Sequence, residues 1–284
     1  MGKLYVPRRY LRGFCEPGGG GVVWMYDKRD GCFRKANVAT VAQERDFYSD
    51  EVEKKLNEIV ETPANAAIAK FMARQQLDAT ERGHLAYCLA TMMRRVPLAR
   101  SRAQAMMPQI LADTVQEVKE LIGRAAAEGR FDTDTEAVRL AEADATAEKL
   151  QDSPPPEILE RIRTPWPTNE MVALIYFMTW RFFTTDARTP FLTSDNPAFF
   201  FECYGLANQD SELTFPITSH LALHACWQSG REGEVQPLHH RLVGEFNKRV
   251  ASSAERFVFS PIEADWIAMI ARRRRDELSR INLG

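Results

Sequence analysis

An apolar run ends abruptly in polar residues and a proline at Phe191-Leu192-Thr193-Ser194-Asp195-Asn196-Pro197. Proline has no backbone donor and pushes the residue before it out of the helical region. Ser, Asp and Asn build turns through side-chain-to-backbone bonds. The pattern predicts a strand that stops here and presents a hydroxyl, a carboxylate and an amide at its tip. Asp195 there is suited to general acid–base work, to metal ligation or to orienting a ligand, with a pKa tuned by an arginine such as Arg95. The same residue types also build an ordinary strand end. Ser194 lacks the Gly-x-Ser-x-Gly elbow of a nucleophile, so its expected role, like that of Asn196, is orientation.

A second set of chemistry-bearing residues lies on the segment Glu81 to Val96. At about 100° per residue, Leu85, Leu89, Met92 and Val96 share one helical face. His84, Cys88, Thr91 and Arg95 form a stripe along its edge, and Arg94 points away. Arg95 can therefore reach a buried polar centre and clamp a phosphate, with His84 beside it; the alternative is that both snorkel at the core boundary. His220, His224 and Cys226 fall on one face of a strand expected at Leu221 to Trp227. Their spacing along a strand is wide for one ion and no fourth ligand is evident, so a half-exposed sheet face is expected and no metal. Arg272 to Arg275 spread around a helix, as a solvated C-terminal end or as a phosphate contact.

The elements that must position these groups follow from local signals. Leu4 to Phe14 reads as an extended arm rich in arginine and aromatics that should pack on the body. Val22 to Tyr26 and Cys32 to Val38 flank Asp30-Gly31, a hairpin signal. Ser49 to Leu150 is helical in pattern. Asp78-x-x-Glu81 opens one helix, Pro97 ends or kinks it, and Ala99 to Gly129 and Thr133 to Leu150 follow as polar helices. Asp152 to Pro156 is a proline-rich linker. Thr168 caps a helix at Met171 to Trp180 that is apolar almost all round and should be central. Strands are expected at Ala198–Cys203, Leu213–Ile217, Leu221–Trp227 and Arg256–Phe259, and helices at Leu238–Ala251 and from Ser260-Pro261 to about Ile281. The fold class is α+β: an N-terminal hairpin, a helical middle segment, and a mixed β-sheet with helices in the C-terminal half. The expected organisation is a single domain over 1–284 with a helical subdomain or insertion at about 50–165.

Composition narrows the partners. The chain has 284 residues, 45% hydrophobic, enough for a substantial core, and a net charge of −2 predicts neither a nucleic-acid nor a membrane partner from charge alone. Five dispersed cysteines without a C-x-x-C pair point to reduced thiols and a cytoplasmic location. The N-terminal segment lacks an apolar stretch of signal-peptide type. Met171 to Trp180 is about half the length a membrane span needs.

Several blocks resemble a bacterial family catalogued as domain of unknown function 4238. They include Tyr5-Val6-Pro7-Arg8-Arg9-Tyr10-Leu11-Arg12-Gly13-Phe14, Val23 to Lys28, Glu44-Arg45-Asp46-Phe47-Tyr48, Glu61 and Arg95-Val96-Pro97. Thr193 to Pro197, Phe215-Pro216-Ile217-Thr218 and Asn247 with Arg256 to Ser260 complete the order. Leu4 stands where the family commonly has histidine, so an activity that needs this histidine is lost or relocated here. The resemblance implies that the arm with Tyr10, Glu61, Arg95 and the Ser194-Asp195-Asn196 turn converge. The leading expectation is a cytoplasmic enzyme, a hydrolase or transferase, acting on a phosphate-bearing substrate such as a nucleotide or nucleic acid. Asp195, Ser194, Arg95 and Glu61 would be catalytic, and Asn196, Tyr10 and His84 would bind substrate, with cofactors open. Many such families lie beside phage-defence or toxin genes, and a role of that kind belongs to the expectation. The rival is a non-catalytic interaction module, in which these polar residues form a structural network and the 99–150 helices, a homo-oligomer contact, are the working surface.

Overall fold

The computed structural model describes residues 2–45, 48–73, 75–153, 164–186, 188–228, 230, 232–272, 278 and 281. Phe47, most of the expected proline linker and Arg273 to Arg275 lie outside them, as does the side chain of Leu4. The chain begins with β1 (Gly2–Leu4) and then a short helix, α1 (Arg8–Arg12). The arm is thus helical rather than extended over its arginines. Leu11 and Phe14 are fully buried, and Tyr10 stacks on Phe14 and Phe215 with centroids 5.2 and 5.3 Å away. Burying a leucine or phenylalanine is worth about 1.5–3 kcal/mol, enough to hold a helix too short to stand alone.

Turn chemistry sets the hairpin as expected. β2 (Val22–Asp27) pairs antiparallel with β3 (Cys32–Asn37), and Gly31 takes the positive φ of 71° that the turn requires. β4 (Gln43–Arg45) returns to β1. Next comes α2 (Asp50–Lys55), capped by Ser49, which runs through a π-helical turn, Leu56–Glu61, into α3 (Thr62–Met72). Pro63 has no N–H to offer the carbonyl of Ile59, so the hydrogen-bond ladder must change register just ahead of it. α4 (Ala79–Arg94) carries the full Asp78/Glu81 capping box.

The chain divides into two compact units, 1–96 with 165–284, and 97–164. The helices between 50 and 94 belong to the first. The second contains α5 (Pro97–Ala127) and α6 (Thr133–Asp152); α5 buries Leu111 and α6 buries no described side chain.

In the first unit, Thr168 caps α7 (Asn169–Phe177), and the chain turns extended at β5 (Thr179–Thr184). Two expectations are corrected here. Trp180 is a strand residue, and α7 is not buried all round: Ile175 is fully buried whereas Phe177 is 71% exposed. The short strands β6 (Thr193–Ser194) and β7 (Phe199–Phe200) precede a long hairpin, β8 (Glu212–Thr218) with β9 (Leu221–Cys226). Then come β10 (Val235–Pro237), α8 (His240–Ser253), β11 (Phe257–Ser260) and α9 (Asp265–Ala271). Ser260-Pro261 does not start the last helix, because Ser260 is still paired to Trp24 in the sheet and its hydroxyl caps the N–H of Ile262.

These strands form a four-stranded sheet, β3-β2-β11-β6, and a five-stranded sheet, β10-β5-β9-β8-β7, in which only β10/β5 is parallel. Along β9 the period of two divides the core. Leu221, Leu223 and Ala225 join the main cluster with α1 and α4, while Ala222 packs with Phe246 of α8 on the other face. That helix also covers His224, 3% exposed, so this sheet face is closed rather than half-open; His220 lies outside it in the turn.

Candidate functional site

The Ser194-Asp195-Asn196 turn is buried, with 0, 4 and 5% exposure. Asp195 Oδ1 accepts the N–H of Glu255 at 2.9 Å, and Oδ2 accepts those of Arg256 and Phe257 at 2.7 and 2.9 Å. Ser194 Oγ donates to the Asn196 carbonyl at 2.8 Å and accepts the Asn196 N–H at 3.1 Å. Asn196 Nδ2 donates to the Ser253 carbonyl at 3.0 Å, and Ser253 Oγ returns a bond to the Asn196 carbonyl. The turn thus ties the end of α8 to the start of β11. Burial pushes the Asp195 carboxyl up to about 6, against the pull of its three N–H donors. Nearby, Asn247 holds the strand before the turn by donating to the Pro190 carbonyl and accepting from the Leu192 N–H, each at 2.9 Å.

Glu61, Arg95 and Tyr10 converge elsewhere, around α1, the π-turn and α4. Arg95 is 1% exposed at the C-cap of α4, and its Nη1 lies 2.7 Å from Glu61 Oε1. Tyr48 donates its hydroxyl to the Arg95 carbonyl at 3.0 Å. The π-turn ends at Glu61, and π-turns recur at functional positions because the extra residue re-aims the side chain that follows. The Tyr10 hydroxyl gives its proton to the Pro216 carbonyl at 2.7 Å, so the Thr193 hydroxyl, also at 2.7 Å, donates to it. Burial raises the Tyr10 pKa well above its usual value, and this phenol stays neutral. Through Thr193 the arm touches the strand that carries the Asp195 turn.

Two cavities share Pro7, Arg9 and Glu61 in their linings. One, of about 180 Å³, is walled by Tyr10, Leu85, Met92, Phe215 and Ile217, with Asn65 and Thr218 among its polar lining. The other is an open cleft of about 870 Å³ in which five cations, Arg8, Arg9, Arg12, Lys54 and Arg95, face two carboxylates, Glu53 and Glu61. Arg8, Arg9 and Arg12 are exposed and pair with no carboxylate among the described residues. Cys88 also lines the smaller cavity, where burial and then the Glu61 charge push its thiol up to about 12. It is a neutral wall rather than a nucleophile.

The structure therefore brings together Tyr10, Glu61 and Arg95. Asp195, Ser194, Asn196 and His84 line neither cavity. His84 sits near the start of α4 and is half-buried. Sequence reasoning did not single out Arg8, Arg9, Arg12, Lys54 and Asn65, which line these cavities. The arginine spacing within α1 was the available signal, hidden by reading the arm as extended.

A second buried polar group lies under α8. Glu212 Oε1 accepts from Arg249 Nε at 2.9 Å and Oε2 lies 3.4 Å from His224 Nε2. Partners of this kind stabilise the charged His224, whose pKa is raised despite burial. Among the described residues no three His, Cys, Asp or Glu side chains are grouped to hold a metal ion, and no helix is long and apolar enough to cross a membrane.

Searches of curated proteins and of solved structures return no match. A family described as "Protein of unknown function (DUF4238)" matches residues 5–263, a span that contains both cavities and the Asp195 turn. It is the family that the sequence blocks resemble, and the chain belongs to it.

Proposed function

We propose that this protein is an enzyme, a hydrolase or transferase, acting on a phosphate-bearing substrate such as a nucleotide or nucleic acid at the cleft between α1 and the π-turn. One observation carries the reading: a largely apolar cavity shares Pro7, Arg9 and Glu61 with a cleft whose cations outnumber its carboxylates five to two. Guanidinium groups match phosphate oxygens with forked donors, and three of those in the cleft have no carboxylate partner among the described residues. Glu61 is the carboxylate beside them and takes the role of general base or of metal ligand. Arg95 holds Glu61 in place through the 2.7 Å contact. The Asp195 turn, on this reading, positions Thr193 and so Tyr10 at the cavity wall.

Calorimetry with inorganic pyrophosphate at low salt tests the reading. Wild type should bind, the double variant Arg8→Ala/Arg12→Ala should lose at least tenfold in affinity, and Glu61→Gln should bind as well or better while turning nothing over. Wild type that binds no phosphate compound overturns the proposal.

The non-catalytic reading draws on a different observation. Every polar side chain of the Ser194-Asp195-Asn196 turn is spent on internal bonds, as in a network that fixes the fold. Folded protein that binds no phosphate compound would favour it.

A further inference from the structure

We infer that the ligand of this cleft is a small phosphate ester carrying one aromatic ring, of the pyrimidine nucleotide type, with its ring in the 180 Å³ cavity and its phosphate over α1. The inference rests on the phosphate reading above and adds the part of the ligand that is not phosphate.

Three features assign it. The first is size. An apolar cavity of roughly 150 Å³ admits a benzene ring, so a cavity of about 180 Å³ takes one substituted ring and not a larger body. The second is the wall chemistry. The Tyr10 and Phe215 rings lie 5.3 Å apart at 31°, and both residues line the space. The Tyr10 hydroxyl is already committed to Pro216 and Thr193, and the Cys88 thiol is neutral, so this wall offers stacking and little else. Asn65 supplies a donor and an acceptor for the polar edge of a heterocycle. Among the described residues Arg9 is the one cation in this lining and it is shared with the cleft, so a phosphate moved to the Tyr10–Phe215 end would give up its solvation among apolar side chains.

The third feature is what the cleft lacks. Among the described residues its lining, Pro7, the arginines of α1, Arg95, Lys54, Asn57 and the two glutamates, contains no aromatic side chain. Single-stranded nucleic acid is held by successive bases stacked on aromatic side chains along a basic groove. Among the described residues the stacking position is the Tyr10–Phe215 wall, beside Arg9, which suits a single ring rather than a strand.

The test compares four probes by calorimetry at one low salt concentration: uridine monophosphate, ribose 5-phosphate, inorganic pyrophosphate and a ten-residue thymidine oligonucleotide. Wild type should bind uridine monophosphate at least tenfold more tightly than ribose 5-phosphate, because the ring adds buried apolar area. Ala69→Phe narrows the cavity from an exposed position on α3 and should fold normally. It should remove that tenfold preference and leave pyrophosphate affinity unchanged. Equal affinity of wild type for uridine monophosphate and ribose 5-phosphate overturns the ring assignment while the phosphate reading stands. An oligonucleotide that binds more tightly per molecule than uridine monophosphate also overturns it, in favour of nucleic acid. Failure of all four probes takes the proposed function down with it.

Discussion

Replacing Asp195 by asparagine and by alanine separates a structural clamp from a catalytic carboxylate. Three N–H groups, from Glu255, Arg256 and Phe257, converge on its two oxygens. Asparagine has one oxygen, so in its better orientation it keeps the pair at Oδ2 and sets an NH₂ group against the Glu255 N–H. One charge-assisted bond, worth about 1.5–3 kcal/mol, is lost. Alanine loses all three. Release from the cost of burying a charge offsets part of each loss. The expected destabilisation is about 2 kcal/mol for Asp195→Asn and about 3–4 kcal/mol for Asp195→Ala. For a chain of this size that is a fall in Tm of roughly 4–8 °C for asparagine and more for alanine.

The pH dependence gives a second readout. The folded pKa of Asp195, about 6, lies above the ordinary value of 3.8. Between these values the folded state binds more protons than the unfolded chain. Stability from this group is therefore full at low pH, declines as pH rises from about 4 to about 6, and is level above. Tm measured from pH 4 to 7, wild type minus Asp195→Asn, should show that decline. A variant that melts like wild type at every pH refutes the clamp argument. If it has also lost ligand turnover, a catalytic Asp195 is restored.

Three further outcomes are expected. Asp27 is 1% exposed and is held by a bidentate contact with Arg256, which lowers its pKa; Asp27→Ala should cost about 2–3 kcal/mol near neutral pH, with the difference from wild type shrinking in urea melts as pH falls below about 4. Arg95→Met should lower stability by about 1–3 kcal/mol by stranding Glu61, and pyrophosphate affinity should fall with it; unaltered affinity in the folded variant would remove Arg95 from the site. Iodoacetamide at pH 8 should label the exposed Cys32 and Cys203 and spare the half-buried Cys88, whose thiol is pushed up to about 12; mass mapping that finds Cys88 labelled first would contradict that shift.

Where a local signal is complete, the sequence determined the element. Asp30-Gly31 specifies the β2–β3 hairpin because the turn needs a residue free to take positive φ. Asp78 and Glu81 specify the start of α4 because they satisfy each other's backbone donors, and Thr168 marks that of α7 by accepting the Met171 N–H. Glu61 and Arg95 were identified as a set, although 34 residues apart, from motif order. Tertiary structure decided what depends on distant partners. Five residues of α1 are helical because Leu11 and Phe14 have a core to enter, which Pro7-Arg8-Arg9 alone does not reveal. β9 is closed on both faces because α8 lies across it. Asp195 was legible as a strand-end carboxylate, but the direction it faces was not. Its three donors come from residues 60 to 62 positions later, and only their arrival at the turn makes it an internal clamp. Side-chain chemistry is a property of the residue; whether a carboxylate meets solvent or backbone N–H groups is set by packing, and packing is non-local.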